Sequence, residues 1–139
     1  MEVGFTGTKM GTTDPQLGSL IVIVEGLDFE KAHHGDCVGA DEEFHVILRT
    51  VAEHVHIDGH LPKDPKHRAF CDFDFTHDER EYLVRNRHIV RASDLMIACP
   101  KQTNEIKRGS GTWATIRYAR KQAVPLVIIW PNGTCTYEV

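Results

Sequence analysis

Long apolar runs are missing from this chain of 139 residues. The longest, Leu20–Val24 and Leu126–Trp130, fall far short of the roughly 20 residues that a bilayer-spanning helix needs, so no membrane partner is expected. An excess of positive charge is missing too. The 16 Lys and Arg stand against 20 Asp and Glu, for a formal net charge of -4. That balance argues against a broad phosphate-backbone footprint, and nucleic acid is not an expected partner. The opening segment lacks the basic, apolar and small-residue succession of a secretory leader, so a cytoplasmic location is expected. Cysteine is scarce and scattered: Cys37, Cys71, Cys99 and Cys135 form no C-x-x-C. Free thiols are expected rather than a disulfide framework or a zinc ribbon. The nine histidines include no H-E-x-x-H and no His/Cys zinc spacing, so neither a metal nor a cofactor is expected. Repeats, low-complexity tracts and linkers rich in Gly, Ser or Pro are absent, and 1–139 reads as a single domain.

What is there is an alternation of short apolar runs with helical periodicity. Val3–Thr6 reads as a strand that ends in the turn Gly7-Thr8-Lys9-Met10-Gly11. Thr13-Asp14-Pro15-Gln16 carries N-caps, a first-turn proline and a capping-box Gln. Leu17, Leu20, Ile21, Val24 and Leu27 then follow at helical spacing. Glu30–His34 is a second strand. The small-residue turn from Gly35 leads into a helix burying Ala40, Phe44, Ile47, Leu48 and Val51, with Asp41, Glu42 and Glu43 at its positive end. His54–Asp58 is a weak polar strand suited to a sheet edge, and Gly59 to Phe75 reads as a long loop. Thr76-His77-Asp78-Glu79 reads as a capping box for a helix that places Tyr82, Leu83, Asn86, Ile89 and Val90 on one face. Leu95–Cys99 and Leu126–Trp130 are continuous apolar strands of the kind found in covered parallel sheets. Between them lie the loop Pro100–Ser110 and a helix opening at Gly111-Thr112-Trp113. The expected fold is therefore α/β: a Rossmann-like, doubly wound, mostly parallel sheet of about five strands with helices on both faces.

Ligands in such sheets sit at the carboxyl ends of the strands, on helix N-termini. Three glycine-bearing turns converge on that edge: Gly7–Gly11, Gly35–Ala40 and Gly109–Thr112. Glycine lets backbone N–H groups approach a phosphate without a Cβ in the way. The candidate ligand-binding residues are Gly7, Thr8 and Lys9; Gly35, Asp36, Gly39, Ala40 and Asp41; Arg85 and Asn86; and Gly109, Ser110, Gly111 and Thr112. Ser110 and Thr112 add hydroxyls, Arg85 a fork of donors and Lys9 a charge. Asp41 is placed to hold a ribose hydroxyl or to serve only as a first-turn acid. Asn86 interrupts an apolar face, so it bonds either backbone or ligand. Arg80, Arg87 and Arg91 are assigned to the same helix as solvated charges. Trp113 packs in the core or stacks on a base. His33 and His34 end a strand, and alternation sends them to opposite faces, each as a hydrogen-bonded structural histidine.

Four segments together resemble the SLOG superfamily: Gly35-Asp36-x-x-Gly39-Ala40-Asp41, Tyr82-x-x-Arg85-Asn86-Arg87-x-Ile89-Val90, Ser93-Asp94-x-x-Ile97-Ala98 and Gly109-Ser110-Gly111-Thr112. The resemblance runs from Gly4 to Pro131. It extends to the Lonely Guy phosphoribohydrolases, the "lysine decarboxylase-like" proteins and the DNA-processing protein A core. It implies a Rossmann-like fold, a nucleotide-derived ligand over the strand ends and a homodimer or higher homo-oligomer. Enzymatic members cut the N-glycosidic bond of nucleoside monophosphates, and others are regarded as sensors. This chain departs from the enzymatic pattern in one place. Those members carry a glutamate three residues after the threonine of the glycine-rich turn, and here Thr115 stands there. A carboxylate is what stabilises oxocarbenium-like charge or activates water, and Asp36, Asp41 or Asp74 would have to replace it. Two classes stay open: a nucleotide-binding sensor or sequestering module, and an N-glycosidase-like phosphoribohydrolase.

Overall fold

The computed structural model describes residues Met1–Val139. Seven strands form one sheet: β1 (Glu2–Gly7), β2 (Lys31–His34), β3 (His56–Pro62), β4 (Phe75–Arg80), β5 (Leu95–Cys99), β6 (Leu126–Ile129) and β7 (Cys135–Glu138). Their order is β4-β3-β2-β1-β5-β6-β7. All neighbours run parallel except β6 and β7. Four helices connect them: α1 (Asp14–Gly26), α2 (Ala40–Val51), α3 (Tyr82–Ala92) and α4 (Gly111–Lys121). The five strands expected from sequence are the five central ones, and β4 and β7 are added at the two edges. The fold is thus Rossmann-like and doubly wound, with more strands than expected.

Alternation along the strands sorts the core into two layers. Val3, Phe5, Ala32, Ile57, Ile97, Val127 and Ile129 meet α1 and α2 through Leu20, Val24, Phe44 and Leu48. The rings of Phe5 and Phe44 stack with centroids 4.4 Å apart. On the other face Met96, Ala98, Leu126 and Ile128 meet α3 and α4 through Ile89, Val90, Trp113 and Ile116. Trp113 is thus a core residue, its indole N–H donating to Gln102 (3.1 Å), and it stacks on nothing in the ligand edge. Helix α1 starts where its sequence signals place it. Thr13 accepts from the Gln16 N–H, the Gln16 side chain accepts in return from Thr13, and the Gln16 amide donates to Pro100 and Ile129 carbonyls at 2.9 and 2.8 Å. One side chain therefore caps a helix and ties the ends of β5 and β6 together.

Four local expectations fail. Thr76–Glu79 is not a capping box, because those residues lie within edge strand β4; α3 begins only at Tyr82, after Glu81 without a side-chain cap. Arg80 accordingly ends β4 rather than sitting on a helix. Strand β3 is internal and runs on to Pro62, which shortens the expected loop and moves the edge to β4. Val51, Tyr82 and Leu83 are exposed rather than buried. Polar Asp58 and His60 hid the extent of β3: they occupy buried inner positions usually held by apolar side chains.

Candidate functional site

The strand order reverses at β1. The chain builds outward through β2, β3 and β4, then returns to place β5 and β6 on the other side. The connections leaving the carboxyl ends of β1 and β5 lead to helices on opposite faces of the sheet, which is where open α/β sheets bind ligands. The cavity at this point has a volume of about 410 Å³, within the range of small-molecule sites.

Most of the expected residues meet in this cavity. Gly7, Thr8 and Lys9 line it from the turn after β1, Gly35 and Asp41 from the turn after β2 and the start of α2, Arg85 and Asn86 from α3, and Gly109, Ser110, Gly111 and Thr112 from the start of α4. Ser110 caps α4 by accepting from the Trp113 N–H at 3.1 Å. The first N–H groups of a helix have no acceptor within it. Those of Gly111 and Thr112 are bonded to no other group of the chain, and both residues border the cavity. The helix dipole adds partial positive charge at the same spot.

Three expected residues stand outside the cavity, each for a packing reason. Asp36 is fully buried: its carboxylate accepts from Arg68 Nε (2.7 Å) and the Cys71 N–H (2.9 Å). Gly39 has φ +89°, and a Cβ there would lie 2.4 Å from the Lys9 carbonyl oxygen. The Ala40 N–H donates to the Thr8 carbonyl at 3.0 Å. The second glycine turn therefore braces the first one and offers little free N–H of its own.

Arg85 is 3% exposed. Its Nη1 donates to the carbonyls of Gly35 (2.5 Å) and His60 (3.2 Å), its Nε donates to Asn86 Oδ1 (2.6 Å), and its guanidinium lies over the Tyr82 ring at 4.8 Å. Asn86, expected to bond backbone or ligand, instead orients Arg85 by accepting from its Nε, and it borders the cavity. Lys9, Arg85 and Lys101 set three cations against Asp41, the one carboxylate in the lining. Burial pushes the Asp41 carboxyl up to about 6, against the pull of Arg85. Burial likewise pushes the Cys37 thiol up to about 11, so it lines the cavity as a neutral group. The net electrostatics favour an anion.

Sequence reasoning missed Lys101, Gln102, Tyr82 and Cys37 as lining residues. Lys101 and Gln102 follow the carboxyl end of β5 after Pro100 alone, and that position was a usable signal. Of Asp36, Asp41 and Asp74, only Asp41 reaches the cavity. Asp74 is bonded to Arg49 (3.0 Å) and to the Ile57 N–H (2.8 Å), and Asp36 to Arg68. Thr115 is buried, donates to the Gly111 carbonyl at 2.8 Å and borders a different hollow, with Leu83 and Arg87. His33 and His34 do face opposite sides: His33 contacts His60, while His34 contacts His45. Arg87 and Arg91 are exposed beside the Tyr118 ring. No helix is long and apolar enough to cross a membrane.

No family model matches the chain, and no curated protein matches it. Solved structures do. The molybdenum cofactor binding protein of the phototrophic bacterium Rippkaea orientalis is 23% identical with a TM-score of 0.65, over 93% of this chain and 76% of that one. The molybdenum cofactor carrier protein of Chlamydomonas reinhardtii is 18% identical with a TM-score of 0.60, over 91% and 75%. TM1055, a structural-genomics target, is 14% identical with a TM-score of 0.62, over 90% and 71%. The chain therefore shares the Rossmann-like fold of these structures.

Proposed function

We propose that residues 1–139 form one SLOG-like domain that binds a phosphate-bearing, nucleotide-derived ligand at the carboxyl edge of the sheet and holds it without turnover. The domain acts as a sensor or sequestering module, in the cytoplasm, as a homodimer or higher homo-oligomer. The observation that carries this reading is the junction of the unpaired N–H groups of Gly111 and Thr112 with Lys9, Arg85 and Lys101 around one cavity. A phosphate docks on the start of α4 and receives backbone donors, dipole and ammonium charge together. The ligand's ring system then occupies the space between Tyr82, Asn86 and the β1 turn. Asp41 is available to accept from a ligand hydroxyl.

The second reading is a phosphoribohydrolase. Asp41 alone favours it, as the one carboxylate in the cavity. Against it stands Thr115, a neutral hydroxyl tied back to Gly111. Two structural neighbours are named for binding or carrying the molybdenum cofactor, which supports a holding role and extends the ligand class to that cofactor. Mass spectrometry of small molecules released on denaturing the purified protein tests the proposal. A stoichiometric phosphate-bearing heterocycle supports it. Loss of any bound anion, with no affinity for nucleoside monophosphates or for the molybdenum cofactor, contradicts it.

A further inference from the structure

Away from the cavity, the α3-facing side of β2, β3 and β4 carries almost no apolar side chains. The register pairs His33 with Asp58 and His60 with His77. In-register partners share a face, and so do Asp58 and His60 two residues apart. Four groups with metal-ligating chemistry are thereby gathered on three adjacent strands. His33 Nδ1 lies 2.8 Å from His60 Nε2, His77 Nε2 lies 2.9 Å from Asp58 Oδ2, and His33 Nδ1 lies 3.9 Å from the same oxygen. The three histidines bring one ring nitrogen each within 4.8 Å of one another.

We propose that His33, Asp58, His60 and His77 form a binding site for a divalent transition-metal ion of the zinc type, clasping edge strand β4 to β3 and β2. Tetrahedral zinc with bonds of about 2.0–2.1 Å sets its ligand atoms about 3.3 Å apart, and the measured separations bracket that value. Three imidazoles and a carboxylate suit zinc, cobalt or nickel rather than calcium or magnesium, which take oxygen shells. His33 Nε2 donates to Glu2 Oε1 at 2.7 Å, the outer carboxylate partner that orients metal-bound histidines. Asp58 is 4% exposed, and its Oδ1 is buried without a hydrogen bond, with His56 Nε2 3.0 Å away. Its other oxygen, Oδ2, is the one that faces His77 and His33. A second cavity of about 190 Å³, bordered by His60, Phe75, His77 and His88, gives an entry path.

The site escaped the sequence because its ligands come from three strands, and short-range spacing detects only local pairs. Another triple, His34, His45 and Cys71, is equally compact. A backbone donor fixes its tautomers, however: the Asp36 N–H donates to His34 Nδ1 (3.0 Å), so His34 Nε2 carries its proton toward His45 Nδ1 (2.8 Å), and His45 Nε2 donates to Asp72 (3.0 Å). Burial pushes the Cys71 thiol up to about 12.

The test is titration of the chelator-treated protein with Co²⁺ and Zn²⁺, followed by the visible d–d bands of cobalt and by thermal melting. We expect one Co²⁺ per chain with four-coordinate bands, displaced by Zn²⁺, and a melting temperature raised by Zn²⁺. His77→Ala, at a half-exposed edge position, keeps the fold and weakens binding on the order of a hundredfold or more. Glu2→Gln weakens it about ten- to a hundredfold. Cys71→Ser leaves it unchanged. No saturable binding of either ion, equal affinity in His77→Ala, or loss in Cys71→Ser with His77→Ala unaffected each overturns the proposal.

Discussion

The guanidinium of Arg85 lies directly across Gly35: Nη1 donates to the Gly35 carbonyl at 2.5 Å, and a Cβ on Gly35 would fall 2.6 Å from that same nitrogen. Glycine at 35 is thus required by the close approach of a buried cation. The pair joins the turn after β2 to α3 and presents Arg85 at the cavity edge.

Gly35→Ala should therefore mimic Arg85→Ala. Each substitution displaces the guanidinium, and each should weaken nucleoside monophosphate binding by about 1.5–3 kcal/mol, the range for hydrogen bonds to charged groups. The double variant should be no worse than either single one, because both act on one contact. Calorimetric titration of the three proteins checks this. Additive losses would separate the two residues.

Gly111→Val is expected to abolish ligand binding in a folded protein. Its Cβ would meet the Tyr82 ring and hydroxyl at 2.5–3.0 Å. Tyr82 is half-exposed and free to move outward, so the fold survives while the new side chain covers the α4 amides. Circular dichroism with nucleotide titration is the check, and unchanged affinity in the folded variant would contradict the placement of the anion.

Asp41 makes stability fall with rising pH over a defined window. Its folded-state value of about 6 lies above the ordinary carboxylate value of 3.8. Between those limits the folded chain holds a proton that the unfolded chain has released. The contribution is full below about pH 4 and is lost as pH rises through about 6. Its size is on the order of 3 kcal/mol. Asp41→Asn removes it, so unfolding free energy should decline less steeply from pH 4 to 6 in the variant than in the parent. Parallel curves would contradict the burial of this carboxyl.

Asn86→Leu should lower both stability and affinity. It removes the acceptor of Arg85 Nε at 2.6 Å and leaves that buried donor unpaired, a loss of about 1–3 kcal/mol. Melting curves and titration report the two effects separately. An equally stable variant that binds normally would place the amide outside this network.

Apolar patterning and glycine turns made the central sheet and most of the cavity legible in the sequence. Thr13 and Gln16 acted as a capping box because a true helix followed; Thr76 and Glu79 match the same pattern by chance inside β4. Edge strand β4 is largely exposed on both faces, so it carries no apolar alternation to read. Strand β3 was cut short for a different reason. Asp58 and His60 are buried through hydrogen bonds and ring stacking with His33 and His77 instead of apolar contact, and hydropathy is blind to that. Within the site, Asp36, Gly39 and Ala40 belonged to the right turn but serve its packing. A motif identifies the turn without saying which of its atoms remain free.

The proposed function rests on a phosphate-bearing ligand held at the start of α4 without turnover. Its most direct test is incubation of the unmodified protein with adenosine and guanosine monophosphates, measuring bound nucleotide and released base in the same time course. The account requires saturable, stoichiometric binding that Gly111→Val abolishes, with base release no faster than in a protein-free control. Several turnovers per second of free base, lost in Asp41→Asn, would make the chain an enzyme and contradict the account.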